Sequence, residues 1–446
     1  MSPDTPKPGD WPVDPQHDVP VDDDRIWIDG CFDFSHHGHA GAMLQARQLG
    51  NELLVGVHSD EAILDNKGPT VMTLPERIAA VDACRWSTKS IPNAPYVTSL
   101  PWITHYGCRY VVHGDDITSD ASGEDCYRFV KQAGRFKIVK RTPGISTTDL
   151  VGRMLLCTKT HFIKDLEKAL DGEEGDGSEE ERKLAGEAMR ERIVAYASDA
   201  TGLAPGSEVW RWHQELGKST QMVKGMEPRP GQSVVYVDGG FDLFSSGHIE
   251  FLRRVIKEEE QEAHKRGWYH PESVTQRITQ FGCDYSPVYI IAGVHDDEVI
   301  NEWKGINYPI MNVFERGLCV LQCKYVSAVV FSAPFNPDPT FLRFLPYGLP
   351  SAVYHGPTAF MPTAEDPYAD AKKLKIFREI PQHDFAHVNA GEIVNRIMRS
   401  RALYEERQRA KGVKGIGEEA VRRREELERE TAARDADRLA QREAQG

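Results

Sequence analysis

The chain has 446 residues, of which 40% are hydrophobic, and a formal net charge of −14 at pH 7. This length suffices for two domains with packed cores. The acidic balance argues against a nucleic-acid or anionic-membrane binder, and no apolar run approaches the roughly 20 residues that a transmembrane helix needs. Its eight cysteines form no CxxC pair, which favours free thiols in a reducing cytoplasm over disulfides or a zinc site.

Residues 1–22 are rich in proline and aspartate, and we interpret them as a flexible N-terminal lead. A first module, residues 23–156, alternates apolar strands with helical patterns. Its predicted elements are strands at 25–28, 53–58, 109–114 and 136–142, and helices at 38–49, 75–86 and around 126–132. Such alternation predicts a parallel sheet with right-handed crossovers, and ligands at the carboxyl ends of its strands.

A second module, residues 233–400, repeats the first in the same order. GVHSDEAI at 56–63 returns as GVHDDEVI at 293–300. The sequence therefore predicts an α/β protein with two tandem Rossmann-like domains, each a doubly wound parallel sheet. Between the modules, residues 157–232 are predicted to form a partly disordered linker, because much of that stretch is charged and punctuated by glycine.

Two segments of the second half stand apart from the repeat. Residues 257–286 form a polar insertion, which predicts a surface loop. Residues 401–446 are almost all charged or small, and glutamate and arginine recur three or four positions apart, which predicts a solvated helical tail.

The first module carries His-x-Gly-His directly after its first strand, at His36, Gly38 and His39. Gly38 lets the backbone approach a ligand closely. The helix that begins here offers N–H groups and a positive dipole end to a phosphate, and two imidazoles could stabilise charge on a phosphorus under attack. A lone loop histidine is usually structural or solvated, but the strand–turn–helix context favours a functional motif.

A second constellation, RTPGISTTDL, follows the last strand of the first module. Arg141 supplies a guanidinium suited to phosphate oxygens, and Ser146, Thr147 and Thr148 open a helix. Alone, this pattern is typical of a helix cap beside a surface arginine. Beside the histidine motif, it favours a second phosphate site.

Lys67 precedes a Gly-Pro loop that could close over the site and bring a charge to the phosphates. Arg77, on the next helix, could face the same phosphates. At the end of a strand, the carboxylates of Asp115 and Asp116 could hold an ammonium group or a metal ion, or simply face water. Tyr127 could line an acceptor pocket or pack in the core.

The motifs DGCFDFSHHGH and RTPGISTT resemble the cytidylyltransferases, a branch of the HxGH nucleotidyltransferase superfamily. The tandem arrangement, from about Arg25 to Met398, resembles the ethanolamine-phosphate branch, because the choline-phosphate branch has an amphipathic membrane helix in place of a second domain. The resemblance implies two nucleotidyltransferase domains that use CTP and phosphoethanolamine to make CDP-ethanolamine and pyrophosphate. It also implies Mg²⁺ bound with CTP, and a place in phosphatidylethanolamine synthesis.

The same resemblance implies roles for residues of the first module. The catalytic residues are expected to be His36, His39, Lys67 and Arg141. Those expected to bind the nucleotide are Asp29, Gly30, Cys31, Phe32, Asp33, Gly38, His113, Asp115, Ser146, Thr147 and Thr148. Asp116, Tyr127 and Arg77 are assigned to the acceptor, and no side chain is assigned to a metal.

The second module departs from the pattern, because Ser245 replaces the first histidine and no RTxGISTT follows. We therefore expect it to do no chemistry and to support or regulate the first module.

Other functions of the whole chain stay open: transfer to phosphocholine or glycerol phosphate, adenylyl transfer, or a non-catalytic role as a nucleotide-binding regulator. We expect a cytoplasmic protein that could attach to the periphery of endoplasmic reticulum membranes and could form a homodimer.

Overall fold

A computed structural model describes residues 17–400, except 117, 306 and 358–365, together with residues 402 and 404. Residues 1–16 of the expected lead, and all but two residues of the expected charged tail at 401–446, lie outside the described residues. Within the described ranges, no helix is long and apolar enough to cross a membrane.

The front domain, residues 22–156, has the predicted alternation of strands and helices. Its elements are β1 (Asp22–Gly30), a 3₁₀ turn (Asp33–Ser35), α1 (His37–Arg47), β2 (Glu52–His58), α2 (Asp60–Lys67), α3 (Leu74–Ala83), β3 (Lys89–Ala94), α4 (Leu100–His105), β4 (Cys108–Gly114), α5 (Arg128–Gln132), β5 (Phe136–Val139) and α6 (Thr147–Leu156). The strands form one parallel sheet in the order β3-β2-β1-β4-β5. The chain winds in opposite directions from β1, so a crevice opens at the carboxyl ends of β1 and β4.

The intervening segment, residues 157–232, is folded, which differs from the predicted partly disordered linker. It contains α7 (Leu166–Leu170), α8 (Glu179–Tyr196), β6 (Glu208–His213) and β7 (Lys218–Val223). The charges that suggested disorder face solvent on α8, while Ile193 and Tyr196 of the same helix are buried in the core. A capping box of Ser178 and Glu181 starts this helix.

The rear domain, residues 233–400, repeats the front domain. Its elements are β8 (Ser233–Gly239), α9 (Ser246–Lys265), α10 (Pro271–Phe281), β9 (Val288–Val294), α11 (Asp297–Lys304), α12 (Val313–Leu321), β10 (Ala328–Phe331), α13 (Pro339–Arg343), β11 (Ala352–His355), α14 (Ala369–Lys373), β12 (Phe377–Glu379) and α15 (Ala390–Arg399). Its sheet has the order β12-β11-β8-β9-β10-β6-β7. The first five of these strands match the front sheet, and β6 and β7 of the intervening segment extend the edge. The two tandem Rossmann-like domains are thereby confirmed, but the rear sheet is mixed rather than wholly parallel, because β7 pairs with β6 in the antiparallel direction.

The insertion at 257–286 is helical, whereas its polar composition suggested a loop. It comprises the second half of α9 and all of α10. Ala263 lies in the buried face of α9, and the guanidinium of Arg277 lies 4.0 Å from the ring centre of Trp268 while it pairs with Asp284 at 2.6 Å. The polar residues therefore form solvated helix faces rather than a loop.

The two domains share the largest of the hydrophobic clusters, and each has a smaller one of its own. Val81 of α3 and Leu318 of α12 are fully buried members of the same cluster. Cys84 and Cys323, which occupy equivalent positions in the two copies, form an antiparallel backbone bridge, and their thiols are free. The domains therefore meet about a pseudo-twofold axis, with equivalent elements of each copy facing one another.

Candidate active site

A cleft of about 400 Å³ opens where β1 and β4 end, at the crevice that the sheet order creates. Most of the predicted site residues line it. They are His36, His39, Lys67, Arg141, Asp29, Gly30, Cys31, Phe32, Asp33, Gly38, His113, Asp116, Ser146, Thr147 and Thr148. The other three, Arg77, Asp115 and Tyr127, lie behind the cleft wall or beside its rim.

The His-x-Gly-His motif forms the start of α1. His36 is the N-cap of this helix, and its Nδ1 accepts a hydrogen bond from the N–H of Gly38 at 3.1 Å. Its ring stacks on that of His39, with centroids 3.9 Å apart and planes 17° from parallel. A Cβ at Gly38 would lie 2.8 Å from Ile145 and 2.9 Å from the His36 ring, so only glycine fits here.

The hydrogen bond to His36 fixes the tautomer of this imidazole. Because Nδ1 accepts a hydrogen bond from the backbone N–H of Gly38, the proton of the neutral ring is on Nε2, which can donate. The intervening His37 is fully buried, and burial, aided by the charges of Arg192 and Arg153, lowers its pKa to about 3. His37 therefore belongs to the core, while the histidines on either side of it line the cleft.

Asp29 lies at the end of β1 in the floor of the cleft and is 4% exposed. Its Oδ2 accepts hydrogen bonds from Trp27 Nε1 at 2.8 Å and from the Thr98 hydroxyl at 2.6 Å. The Tyr127 hydroxyl donates to Oδ1 at 2.7 Å, and the Tyr127 ring lies 4.6 Å from that of His113. Tyr127 is thus buried and reaches the site through Asp29 and His113 rather than through the cleft surface.

The loop after Lys67 is tied to the floor of the cleft. The carboxylate of Asp33 accepts hydrogen bonds from the backbone N–H groups of Val71 and Met72 at 2.9 and 2.8 Å. Lys67 ends α2, and its Nζ lies 5.7 Å from the ring centre of Tyr96. The turn between β1 and α1 therefore sets the position of the loop that carries Lys67.

Arg77 does not face the phosphate site, which corrects the prediction. Its fully buried guanidinium pairs with Asp60 at 2.6 Å and donates to the carbonyls of Cys31 at 2.7 Å and His58 at 2.8 Å. The rear domain repeats the arrangement with Arg316. The rear domain keeps these contacts although it lacks the histidine pair. The contacts therefore indicate that Arg77 stabilises the turn after the first strand.

The RTPGISTT segment supplies the opposite wall. Ser146 caps α6 by accepting a hydrogen bond from the N–H of Asp149 at 3.0 Å, and this places the first turn of α6 in the cleft. The exposed Asp115 accepts from the backbone N–H of Arg141 at 3.2 Å, so it fixes the segment rather than lining the cleft. The N-termini of α1 and α6 both face the cleft, and such termini attract anions.

Several cleft residues escaped sequence analysis. Asn66 and Thr118 line the cleft, and Trp27 and Thr98 hold Asp29 in place. Thr98 lies 69 positions from Asp29 in the chain. No spacing rule joins the two, so this pairing becomes visible only in the folded sheet.

The rear domain contains an equivalent cleft of about 500 Å³. There His248 stacks on Phe244, with centroids 5.5 Å apart, instead of on a second imidazole. The hydroxyl of Ser245 donates to the carbonyl of Val388 at 2.9 Å. This cleft keeps Lys304 but lacks the paired imidazoles of the front cleft.

Residues 27–153 match the Cytidylyltransferase-like family model, and this range contains every lining residue of the front cleft. Fold and site thus define a nucleotidyltransferase of the cytidylyltransferase class. The chain is 40% identical to ethanolamine-phosphate cytidylyltransferase of Mus musculus, over 88% of this chain and 90% of that protein. It is 38% identical to the protein of the same name from Dictyostelium discoideum, over 88% and 95% of the two chains.

The choline branch matches only part of the chain. Choline-phosphate cytidylyltransferase A of Rattus norvegicus is 36% identical over 34% of this chain and 41% of its own. The long matches cover both domains, and the chain belongs to the ethanolamine-phosphate cytidylyltransferase family.

Proposed function

We propose that this protein transfers the cytidylyl group of CTP to phosphoethanolamine, which yields CDP-ethanolamine and pyrophosphate. The observation that carries this proposal is the convergence on one cleft of the His36–His39 pair, Lys67, Arg141 and the N-termini of α1 and α6. These are cationic groups and hydrogen-bond donors, as a reaction between two phosphates requires.

In the proposed reaction, a phosphate oxygen of phosphoethanolamine attacks the α-phosphorus of CTP. The bond from the α-phosphorus to the oxygen that bridges to the β-phosphorus breaks, and pyrophosphate leaves with that electron pair. The attacking oxygen is already anionic, so no general base is needed. The residues of the cleft instead neutralise and align two anions.

Each group has a part in that alignment. His36, through Nε2–H, and His39 donate to the oxygens of the α-phosphate as negative charge grows in the transition state. Lys67 and Arg141 hold the phosphates that leave as pyrophosphate, and the first turn of α6 binds the triphosphate. Mg²⁺, when bound to the nucleotide phosphates, would neutralise further charge there.

Whether the cleft can bind Mg²⁺ through its own side chains depends on which of its carboxylates are placed to coordinate the ion. Among the described residues, no group of three or more His, Cys, Asp or Glu side chains is placed to hold a metal ion. The carboxylates of Asp29 and Asp33 already accept hydrogen bonds from the protein. We therefore propose that phosphate oxygens and water supply the ligands of Mg²⁺, as is common for this ion.

We further propose that the ammonium group of the acceptor lies near Asp116 and His113, at the end of β4. Both line the cleft, and burial lowers the pKa of His113, so its ring is neutral and does not repel a cation. The Asp29 carboxylate behind it adds negative charge to this end of the cleft. The rear cleft, without the paired imidazoles, is proposed to do no chemistry.

A pyrophosphate-release assay tests the proposed reaction. The purified chain is given CTP, ATP or GTP with phosphoethanolamine, phosphocholine or glycerol phosphate. We expect release only with CTP, and the largest kcat/KM with phosphoethanolamine. A larger kcat/KM with phosphocholine would identify phosphocholine as the acceptor. If no pair of nucleotide and acceptor released pyrophosphate, the chain would instead be a nucleotide-binding regulator.

Two properties of the whole protein are also proposed: a cytoplasmic location at the periphery of the endoplasmic reticulum, and a homodimer. Cell fractionation with a salt wash tests the first, because a peripheral protein is released by salt. Light scattering after size-exclusion chromatography tests the second, by giving the mass directly.

A further inference from the structure

The loop after Lys67, residues 68–73, is held from two sides, and one holding residue belongs to the rear domain. On the cleft side, Asp33 accepts from the N–H groups of Val71 and Met72. On the opposite side, Arg396 of α15 donates to the carbonyl of Val71 at 3.3 Å. The backbone of this loop is thus fixed between the floor of the front cleft and the last helix of the other domain.

Arg396 is itself firmly anchored. It forms a bidentate ion pair with Glu76, with N–O distances of 2.8 and 2.9 Å, and the two side chains are 19% and 5% exposed. Glu76 also accepts from the N–H of Thr73 at 2.8 Å, and the hydroxyl of Tyr404 donates to the carbonyl of Thr70 at 3.1 Å. Arg396 therefore connects the middle of the loop to the helix that ends it.

The pseudo-twofold axis creates the same clamp in the reverse direction. Arg153, on α6 of the front domain, pairs with Glu315 at 2.7 and 2.9 Å and donates to the carbonyl of Ile310 at 3.1 Å. In the rear domain, Asp242 accepts from the N–H groups of Ile310 and Met311. Each domain thus holds the cleft loop of the other, and the second clamp offers a matched control for the first.

We propose that Arg396 is a positioning residue for the front cleft, which it serves by holding residues 68–73 so that Lys67 meets the triphosphate of CTP. This inference rests on the proposed function. Lys67 is exposed at the end of α2, so the backbone of the loop determines where its ammonium group can reach. A guanidinium suits the task, because its planar fork binds a carboxylate and a carbonyl at once. The rear domain thereby contributes to the reaction without a catalytic group.

Steady-state kinetics of Arg396→Gln in the full chain test the proposal. Without the clamp, the loop occupies its competent position for only a fraction of the time, and the KM for CTP rises by the inverse of that fraction, about five- to tenfold. We expect kcat to stay within about twofold, because saturating CTP restores the loop position. Arg396→Lys should recover part of the loss. Asp242→Asn, which releases the equivalent loop of the rear cleft and leaves α6 untouched, should leave the KM for CTP unchanged.

The double variant Arg396→Gln/Lys67→Ala distinguishes a positioning role of Arg396 from a general loss of structure in the cleft. If Arg396 acts through Lys67, Arg396→Gln adds almost nothing to the KM of Lys67→Ala, because residues in one network are not additive. A full additional increase in the double variant would refute the proposal. So would an unchanged KM for CTP in Arg396→Gln.

Hydrogen–deuterium exchange gives a readout that does not require activity. Arg396→Gln should speed exchange in the peptide that contains residues 68–73, and Glu315→Gln should instead speed exchange around residues 307–311. If the wild-type chain releases no pyrophosphate, the proposed function fails, whereas the exchange still reports on the clamp. Equal exchange of the 68–73 peptide in the wild type and Arg396→Gln would overturn the clamp itself.

Discussion

At the scale of the residue, three histidines in one short segment have different roles. His36 caps a helix with one ring nitrogen and keeps the other as a donor, and His39 stacks on it. His37 is turned into the shared core, where the Tyr196 hydroxyl donates to its carbonyl. Because α1 begins directly after His36 and successive side chains of a helix point about 100° apart, His37 points into the core while His39 points into the cleft.

The pairing of the two imidazoles predicts the result of removing one of them. His39→Ala should lower kcat by about 100-fold or more, the usual scale for losing a transition-state donor. His248→Ala, the equivalent change in the rear cleft, is the control and should leave kcat within about twofold. Steady-state pyrophosphate release measures both, with circular dichroism to verify folding. A near-normal kcat in folded His39→Ala would rule out the assigned role.

Asp238, the rear counterpart of Asp29, predicts a pH dependence of stability. Burial raises its pKa to about 7, although it accepts a hydrogen bond from Tyr368. The folded state therefore binds this proton more tightly than the unfolded state, so stability from this group is lost as pH rises from about 4 to about 7.

Asp238→Asn, which cannot ionise, should remove that loss. The variant should be more stable than the wild type at pH 8, by an amount on the order of a few kcal/mol, and the difference should shrink toward pH 4. Urea unfolding at several pH values measures the difference, and the contributions of the buried histidines cancel because both proteins contain them. A difference that does not change with pH would contradict the assignment.

At the scale of the element, hydrophobic periodicity predicts the alternating strands and helices of both domains, because the central strands, such as β2 and β9, are buried on both faces and most helices on one. A high content of charged residues wrongly suggested disorder for α8, because only a narrow stripe of this helix is buried. The segment before Ile193 and Tyr196 is dominated by charged residues, and only its packing partners show that it is ordered. Arg77 illustrates a second limit, since the sequence cannot tell a guanidinium that binds phosphate from one that binds carbonyls.

The rear cleft differs from the front cleft in two segments, the histidine motif and the segment before the last helix, and we expect both to be necessary for activity. Ser245→His would restore the first histidine beside His248, but α15 is capped by Asn389 and is not preceded by a segment like RTPGISTT. We expect no recovery of turnover when Ser245→His is introduced into the His39→Ala chain, because the rear segment lacks counterparts of Arg141 and of the Ser146–Thr148 turn. Pyrophosphate release by this double variant measures the effect. A return of activity above the single His39→Ala value would show that a histidine pair alone suffices.

At the scale of the whole molecule, the internal repeat predicted two domains but not how they pack. The pairs that join them, such as Arg153 with Glu315 and Arg396 with Glu76, lie 162 and 320 positions apart in the chain. No local pattern encodes such contacts. They follow from two copies of one fold that bury equivalent helices against each other, so each domain depends on the other for part of its core.

This shared core predicts the behaviour of a chain cut after residue 232. The front part would expose Val81 and leave β6 without its partner β10, so it should aggregate, and turnover should fall at least about 100-fold. Residues 1–232 and 233–446 expressed together as separate chains are the control, and they should reassemble with most of the activity, because the interface rather than the connecting peptide bond holds the domains together. Solubility, chromatography and pyrophosphate release measure the outcome. If residues 1–232 alone were soluble and turned over CTP at the rate of the full chain, the rear domain would have no part in supporting the front cleft.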